Sequence, residues 1–156
     1  MSESAHLATR LQEAGVGMRG FDRSLPMALM RAREAVMRHF RPSLAEHDLT
    51  EQQWRVLRAL EDAGTPLSVG ELAERTYLLG PSLSRMLTLL DDRGVIARSS
   101  VPGDARRADI RITATGLELV AAIAPRSEAA YAHIEGRLGS DELERLYALL
   151  DRLGRV

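Results

Sequence analysis

The sequence contains no cysteine and no lysine in 156 residues. Without thiols there can be neither disulfides nor a thiol redox switch, so any signal the molecule answers must be of another kind. No apolar run approaches the roughly 18 residues of a spanning helix, and Met1 to Gly20 lacks the charged start and long apolar middle of a signal peptide. A cytoplasmic chain without membrane contact is the expectation. His6, His39, His47 and His133 show no metal-ligand spacing with one another or with nearby carboxylates, so neither a metal nor a cofactor is expected. Ser82 and Ser84 have no histidine beside them to make a nucleophile. Asp91-Asp92 and Glu142 with Glu144 read as solvated acids on helix faces rather than as a general acid and base. An enzyme is not expected. Repeats and low-complexity stretches are absent too.

What is present is ordinary for a globular chain: 45% hydrophobic and 28% charged residues, enough for one domain with a buried core. The net charge of -1 argues, as a sum, against a nucleic-acid partner. Its distribution argues the other way. Residues 75–111 hold seven Arg against four Asp, a net +3, whereas residues 44–74 hold two Arg against seven acids, a net -5. The plainer alternative is that arginine replaces lysine throughout by genome composition and that the local excess is chance.

The positive segment contains the most ordered pattern in the chain, Ser68 to Thr113. At about 100° per residue, Leu83, Met86, Leu87 and Leu90 share one face, which predicts a helix with that face buried. Pro81, Ser84, Arg85 and Thr88 fall on the opposite face, with Ser82 and Leu89 at its edge. Pro81 suits the first turn and Gly94 a left-handed stop, giving a helix of about 12 residues, Pro81 to Arg93. Ahead of it, Ser68-Val69-Gly70-Glu71 is a capping box that starts a short helix, Val69 to Thr76. Tyr77 to Gly80 then turns between two helices, the arrangement in which the second enters a DNA major groove. Val95 to Ser100 and Ala108 to Ile112 read as two short strands joined by residues 101–107, a wing.

Outward from this segment the chain reads as helical. Residues 1–23 form an arm with one helical turn near Leu7 to Leu11. Ser24 caps a long helix through Leu25, Leu29, Ala32, Val36 and Phe40 to about Glu46, bent near Pro42, with Arg33, His39 and Ser43 on or beside its apolar face and needing partners there. Thr50 with Gln53 makes a second capping box for a helix reaching about Asp62, with Trp54 at the edge of its apolar stripe. Pro66-Leu67 supplies a minimal third strand. Thr113 caps a helix from Ala114 to about Gly136, with a bend at Pro125, and Ser140 caps a last helix, Asp141 to Leu153. The fold class is mainly α (α+β): a winged helix-turn-helix over 49–112, flanked by helices over 24–48 and 113–156. These flanking helices are too long and apolar for the middle segment to cover. They are expected to form a dimerisation region, and a two-fold homodimer places two reading helices one turn of DNA apart, on a pseudo-palindromic operator.

Ser82-Leu83-Ser84-Arg85, the exit Asp91-Asp92-Arg93-Gly94-Val95-Ile96, and Asp104-Ala105-Arg106 at its spacing from Ile112-Thr113 resemble the MarR family of bacterial transcription regulators. The resemblance covers nearly all of Ser24 to Val156. Arg31-Ala32-Arg33-Glu34-Ala35-Val36, Phe40-Arg41-Pro42 and Leu49-Thr50-Glu51-Gln52-Gln53-Trp54-Arg55-Val56-Leu57 look, within it, like the regulators of 4-hydroxyphenylacetate (homoprotocatechuate) degradation. Leu89 departs from the pattern, since many relatives place a charged residue on the groove side of this helix.

Two readings stand for each candidate site. Pro81, Ser82, Ser84, Arg85 and Thr88 read as a groove-reading face, arginine giving two bonds to guanine and hydroxyls meeting phosphate or base edges; otherwise they are a solvated helix face. Arg106 or Arg107 reads as a minor-groove insertion, Arg106 fitting the family's wing position and Asp104 orienting it; otherwise Asp104 and Arg106 form a turn salt bridge. Arg31, Arg33, His39 and Trp54 read as a small-molecule pocket with an aromatic wall and a guanidinium for a carboxylate; otherwise they are packing and helix salt bridges, such as Arg31 or Arg38 with Glu34. The resemblance implies an aromatic acid or its thioester as effector. For the whole chain the two classes are a ligand-responsive, DNA-binding repressor of an aromatic-compound catabolic operon, and a winged-helix protein-interaction module that does not touch DNA. Steep salt dependence marks the first.

Overall fold

A computed structural model of the chain describes residues 5–6, 9–10, 20–101 and 104–155, and at 101 and 104–107 the backbone alone. Two compact units result, Met1–Met37 and Arg38–Val156.

In the first unit Ala5, His6, Thr9 and Arg10 are helical, and the Thr9 hydroxyl donates to the Ala5 carbonyl at 3.0 Å. Leu7 and Leu11, the expected limits of a helical turn in the arm, lie outside the described residues. A 3-10 turn, Phe21–Arg23, precedes α1, Leu25–Met37. Ser24 starts this helix as expected, its Oγ accepting from the Met27 N–H at 3.4 Å. No residue of α1 is buried, and Leu25, Leu29, Met30 and Val36 are exposed.

The second unit begins where the long first helix was expected to continue. Residues 38–40 form a turn instead, and α2 is a separate short helix, Arg41–Ala45. The proline explains the break. Pro42 has no N–H to give to the Arg38 carbonyl four residues back and its ring crowds that group, whereas in the first turn of a new helix it costs nothing. Next come α3 (Glu51–Ala63), β1 (Leu67–Ser68), α4 (Val69–Thr76), α5 (Gly80–Asp92), β2 (Ile96–Val101), β3 (Asp104–Ile112), α6 (Ala114–Leu138) and α7 (Ser140–Leu153).

Local chemistry sets most of these boundaries. Both capping boxes are closed: Thr50 accepts from Gln53 N–H and Ser68 from Glu71 N–H, each answered by the glutamine or glutamate side chain. Thr113 caps α6 by accepting from the Gly116 N–H at 3.1 Å. Ser140 does not cap α7 as expected. Gly139 holds that position, and the Ser140 hydroxyl donates to Glu135 Oε1 at 2.7 Å, so the last turn of α6 has captured it.

The sheet is antiparallel, ordered β1-β3-β2, with Leu67 opposite Ile110 and Ile96 opposite Ile112. Its apolar face and the helices α3 to α6 share one core, in which Leu57, Leu72, Leu83, Leu87, Leu90 and Ile110 are fully inaccessible. Gly116 lets α6 join it. A Cβ at that position would meet the Val95 carbonyl oxygen at 2.1 Å and Ile112 Cγ1 at 2.6 Å, so only glycine allows the helix start to lie against the base of the wing. Among the described residues no helix is long and apolar enough to cross a membrane.

Candidate nucleic-acid interface

The helix α5 divides as its sequence stripe requires. Leu83, Leu87 and Leu90 are fully buried and Met86 half-buried on one side, while Pro81, Ser82, Ser84, Arg85, Thr88 and Leu89 are exposed on the other. All five groove-facing candidates on this helix therefore sit on one accessible face.

The surrounding arginines hold that helix in place. Arg55 on α3 donates to the Thr76 carbonyl at 2.7 Å, fixing the end of α4. Thr76 is wholly buried, and Tyr77 after it takes a left-handed conformation, φ +53, that turns the chain toward α5 and leaves its ring exposed. At the far end Arg93 donates to the carbonyls of Asp48 at 2.7 Å and His47 at 3.0 Å, tying the exit of α5 to the segment before α3. Arg75 faces Asp62 at 3.7 Å, and Arg58 pairs with Glu61. Arg98 on β2 donates to Thr88 Oγ1 at 3.0 Å and lies 3.5 Å from Asp91, so the wing strand is bonded to α5.

Arg85 differs from all of these. It forms no hydrogen bond or ion pair among the described residues, and it projects from the outward face one turn into the helix. A guanidinium held on a fixed helix with its five donors unused is ready for an external acceptor.

Thr88 needs a refinement of the sequence reading. Its hydroxyl donates to the Ser84 carbonyl at 3.1 Å and accepts from Arg98, so its one proton is committed within the protein.

The wing is longer in strand than the sequence suggested. Residues 104–107, expected in the loop, belong to β3. The ladder is regular from Ile96 opposite Ile112 to Ser100 opposite Ala108, then shifts so that Val101 faces Asp104, which leaves 105–107 as an irregularity near the tip. The side chains of Asp104, Arg106 and Arg107 lie outside the described residues.

Of the residues assigned to a small-molecule pocket, Arg31 and Arg33 belong to the first unit and His39 and Trp54 to the second. Arg31 Nη2 donates to the Asp22 carbonyl at 2.8 Å, and Nη1 lies 3.7 Å from the Asp22 carboxylate. Arg33 is exposed rather than half-shielded, because α1 buries none of its residues. His39 is exposed and its ring centroid lies 4.9 Å from that of His133 on α6, tilted by 47°. Trp54 is half-buried against the core, as its place on the stripe predicts. Ser43, which the sequence placed among polar groups needing partners, is buried, and its hydroxyl finds no partner among the described residues. Among the described residues no group of three or more His, Asp or Glu could hold a metal ion.

A three-stranded sheet with a two-stranded wing, beside a helix-turn-helix whose second helix turns a polar, arginine-bearing face outward, defines the winged helix-turn-helix class. Comparison with known proteins then gives the family. The MarR family model matches residues 47–107. The chain is 37% identical over 128 residues to the homoprotocatechuate degradative operon repressor of Escherichia coli, covering 82% of this chain and 86% of the relative. It is 36% identical over 133 residues to the HTH-type transcriptional regulator FarR of Neisseria gonorrhoeae, covering 85% and 90%. The crystal structure of NadR in complex with 4-hydroxyphenylacetate superposes with a TM-score of 0.77 at 34% identity, covering 90% of this chain and 99% of that one. The chain belongs to the MarR family of transcriptional regulators, and within it resembles the homoprotocatechuate group.

Proposed function

We propose that the protein is a cytoplasmic, dimeric, ligand-responsive repressor of an aromatic-compound catabolic operon, binding a pseudo-palindromic operator. The observation that carries this reading is Arg85: of the arginines of α3, α4 and α5 it alone has no hydrogen bond or ion pair among the described residues, and it stands on the exposed face of α5. In the proposed complex Pro81, Ser82, Ser84, Arg85 and Thr88 face the major groove, with Arg85 on guanine, while Arg106 or Arg107 enters the flanking minor groove with Asp104 orienting it. The second copy covers the apolar faces that α1 and α7 leave open; α7 has no buried residue and exposes Leu146, Tyr147, Leu149 and Leu150.

The proposed effector is a small aromatic carboxylate or its thioester. Trp54 offers it a half-buried flat surface and His39 a polar edge, and Arg31 and Arg33 are the candidate partners for its carboxylate. The reading draws support from the homoprotocatechuate repressor and from NadR, whose structure holds 4-hydroxyphenylacetate.

The test is binding of the full chain to duplexes enriched from a random pool, measured against salt. Neutralising several phosphates makes log affinity fall linearly and steeply with log salt. An enriched pseudo-palindrome with that slope, released by 4-hydroxyphenylacetate or a related acid, is the expected result. No enrichment, or binding indifferent to salt, would favour a protein-interaction module instead.

A further inference from the structure

We infer that Leu89 is a specificity residue that reads thymine by its 5-methyl group; this rests on the DNA-binding reading of α5 and adds to it the base it selects beyond Arg85. The inference starts from what the outward face has left to offer. Arg85 has no partner among the described residues, and a guanidinium carries only donors, so it would recognise acceptors. One turn further on, the Thr88 hydroxyl has given its proton to the Ser84 carbonyl at 3.1 Å and receives Arg98 at 3.0 Å, so it brings no donor to a base edge. Arg98 itself is shared between Thr88 and Asp91. What stands four residues after Arg85, on the same side of the helix and 56% exposed, is Leu89.

A leucine so exposed is commonplace on a surface, but here it is flanked by the one unengaged cation of the helix, and a groove closing on Arg85 also closes on Leu89. The only apolar group that a base pair presents in the major groove is the thymine methyl, and contact with it is an established way for aliphatic side chains to select thymine. Cytosine, the other pyrimidine, presents an amino donor there, for which Leu89 has no acceptor. The chain should thus prefer sites in which a guanine met by Arg85 has a thymine near it on the path of the helix.

The experiment uses a duplex enriched by the full-length chain, in which each thymine in turn is replaced by deoxyuridine, a change that removes the methyl group alone. For the wild type, one position in each half-site should lose about fourfold in affinity, the equivalent of one buried methyl at about 0.8 kcal/mol. In Leu89→Ala the same replacement should have no effect, and in Leu89→Met the sensitivity should persist. Leu89 is exposed, so both variants should melt with the wild type. If no deoxyuridine position weakens the wild type, or if Leu89→Ala keeps the full loss, Leu89 does not read thymine although DNA binding stands. Failure to enrich any duplex would overturn the DNA-binding reading and this inference with it, and so tells the two failures apart.

Discussion

Around α5, arginines that look alike in the sequence divide by whether the protein has already used them. Arg55, Arg75, Arg93 and Arg98 all end on carbonyls, hydroxyls or carboxylates of the same unit, and substituting them would disturb how α4, α5 and the wing are held. Arg85 ends on nothing within the described residues. Arg85→Ala should therefore leave thermal stability within about 0.5 kcal/mol, as for a surface substitution without contacts. It should weaken operator binding by about 1 to 3 kcal/mol, while binding to random DNA changes less, because a bidentate base contact carries discrimination. Fluorescence anisotropy on both duplexes checks this; equal losses on the two would mean that Arg85 meets phosphate only.

At the scale of elements, the start of α6 lies close against the residues at the base of the wing. Gly116→Ala should destabilise the chain by about 1 to 3 kcal/mol in denaturant unfolding, since the new methyl meets a backbone oxygen that cannot swing aside. Gly136→Ala in the same helix, with open space around its Cα, should be neutral or stabilising by up to about 1 kcal/mol. The wing makes a separate prediction: Arg106→Ala should weaken binding most on operators with A·T-rich flanks, where a narrow minor groove attracts arginine. With G·C flanks the wild type should lose affinity and the mutant scarcely change, as read by the same anisotropy titration.

These elements also mark how far the sequence could be read. The buried side of α5, both capping boxes and the third strand were legible because each follows from a few residues at fixed spacing. Gly116 was not legible, since its reason is an oxygen more than twenty positions earlier in the chain. Nor was the left-handed Tyr77, because a tyrosine carries no local signal for positive φ. Ser140 looked like a cap, but its hydroxyl donates to Glu135 and its oxygen accepts no N–H from the first turn of α7, a choice of partner that only geometry decides. On the interface, exposure of the five α5 candidates could be read from helical spacing, whereas the engagement of Thr88 by Arg98 depends on strand pairing and could not.

For the whole molecule, the apolar faces of α1 and α7 and the bracing of α5 lead to linked predictions. The chain should sediment as a homodimer at micromolar concentration and protect half-sites about 10 base pairs apart. The effector's influence on that geometry has a bonded route within the second unit. Trp54 lies on α3, whose Arg55 holds the end of α4 just before the turn into α5, while Arg93 ties the exit of α5 to the segment leading into α3. On the proposed reading, a ring wedged against Trp54 would strain the turn into α5 and its exit through these bonds. Weakened DNA binding follows, and by linkage DNA must weaken effector binding by the same factor, typically 5- to 150-fold, or about 1 to 3 kcal/mol. Trp54 is the chain's single tryptophan, so its fluorescence reports occupancy directly. 4-Hydroxyphenylacetate and a cinnamate-type acid should be titrated into free protein and into the operator complex, for the wild type and for Arg31→Ala, Arg33→Ala and Arg55→Ala. Loss of the carboxylate partner should lower effector affinity, whereas Arg55→Ala should leave effector affinity nearly intact and reduce the coupling factor. If an acid binds free protein and the operator complex equally well, the effector reading fails and Trp54 is a packing residue alone.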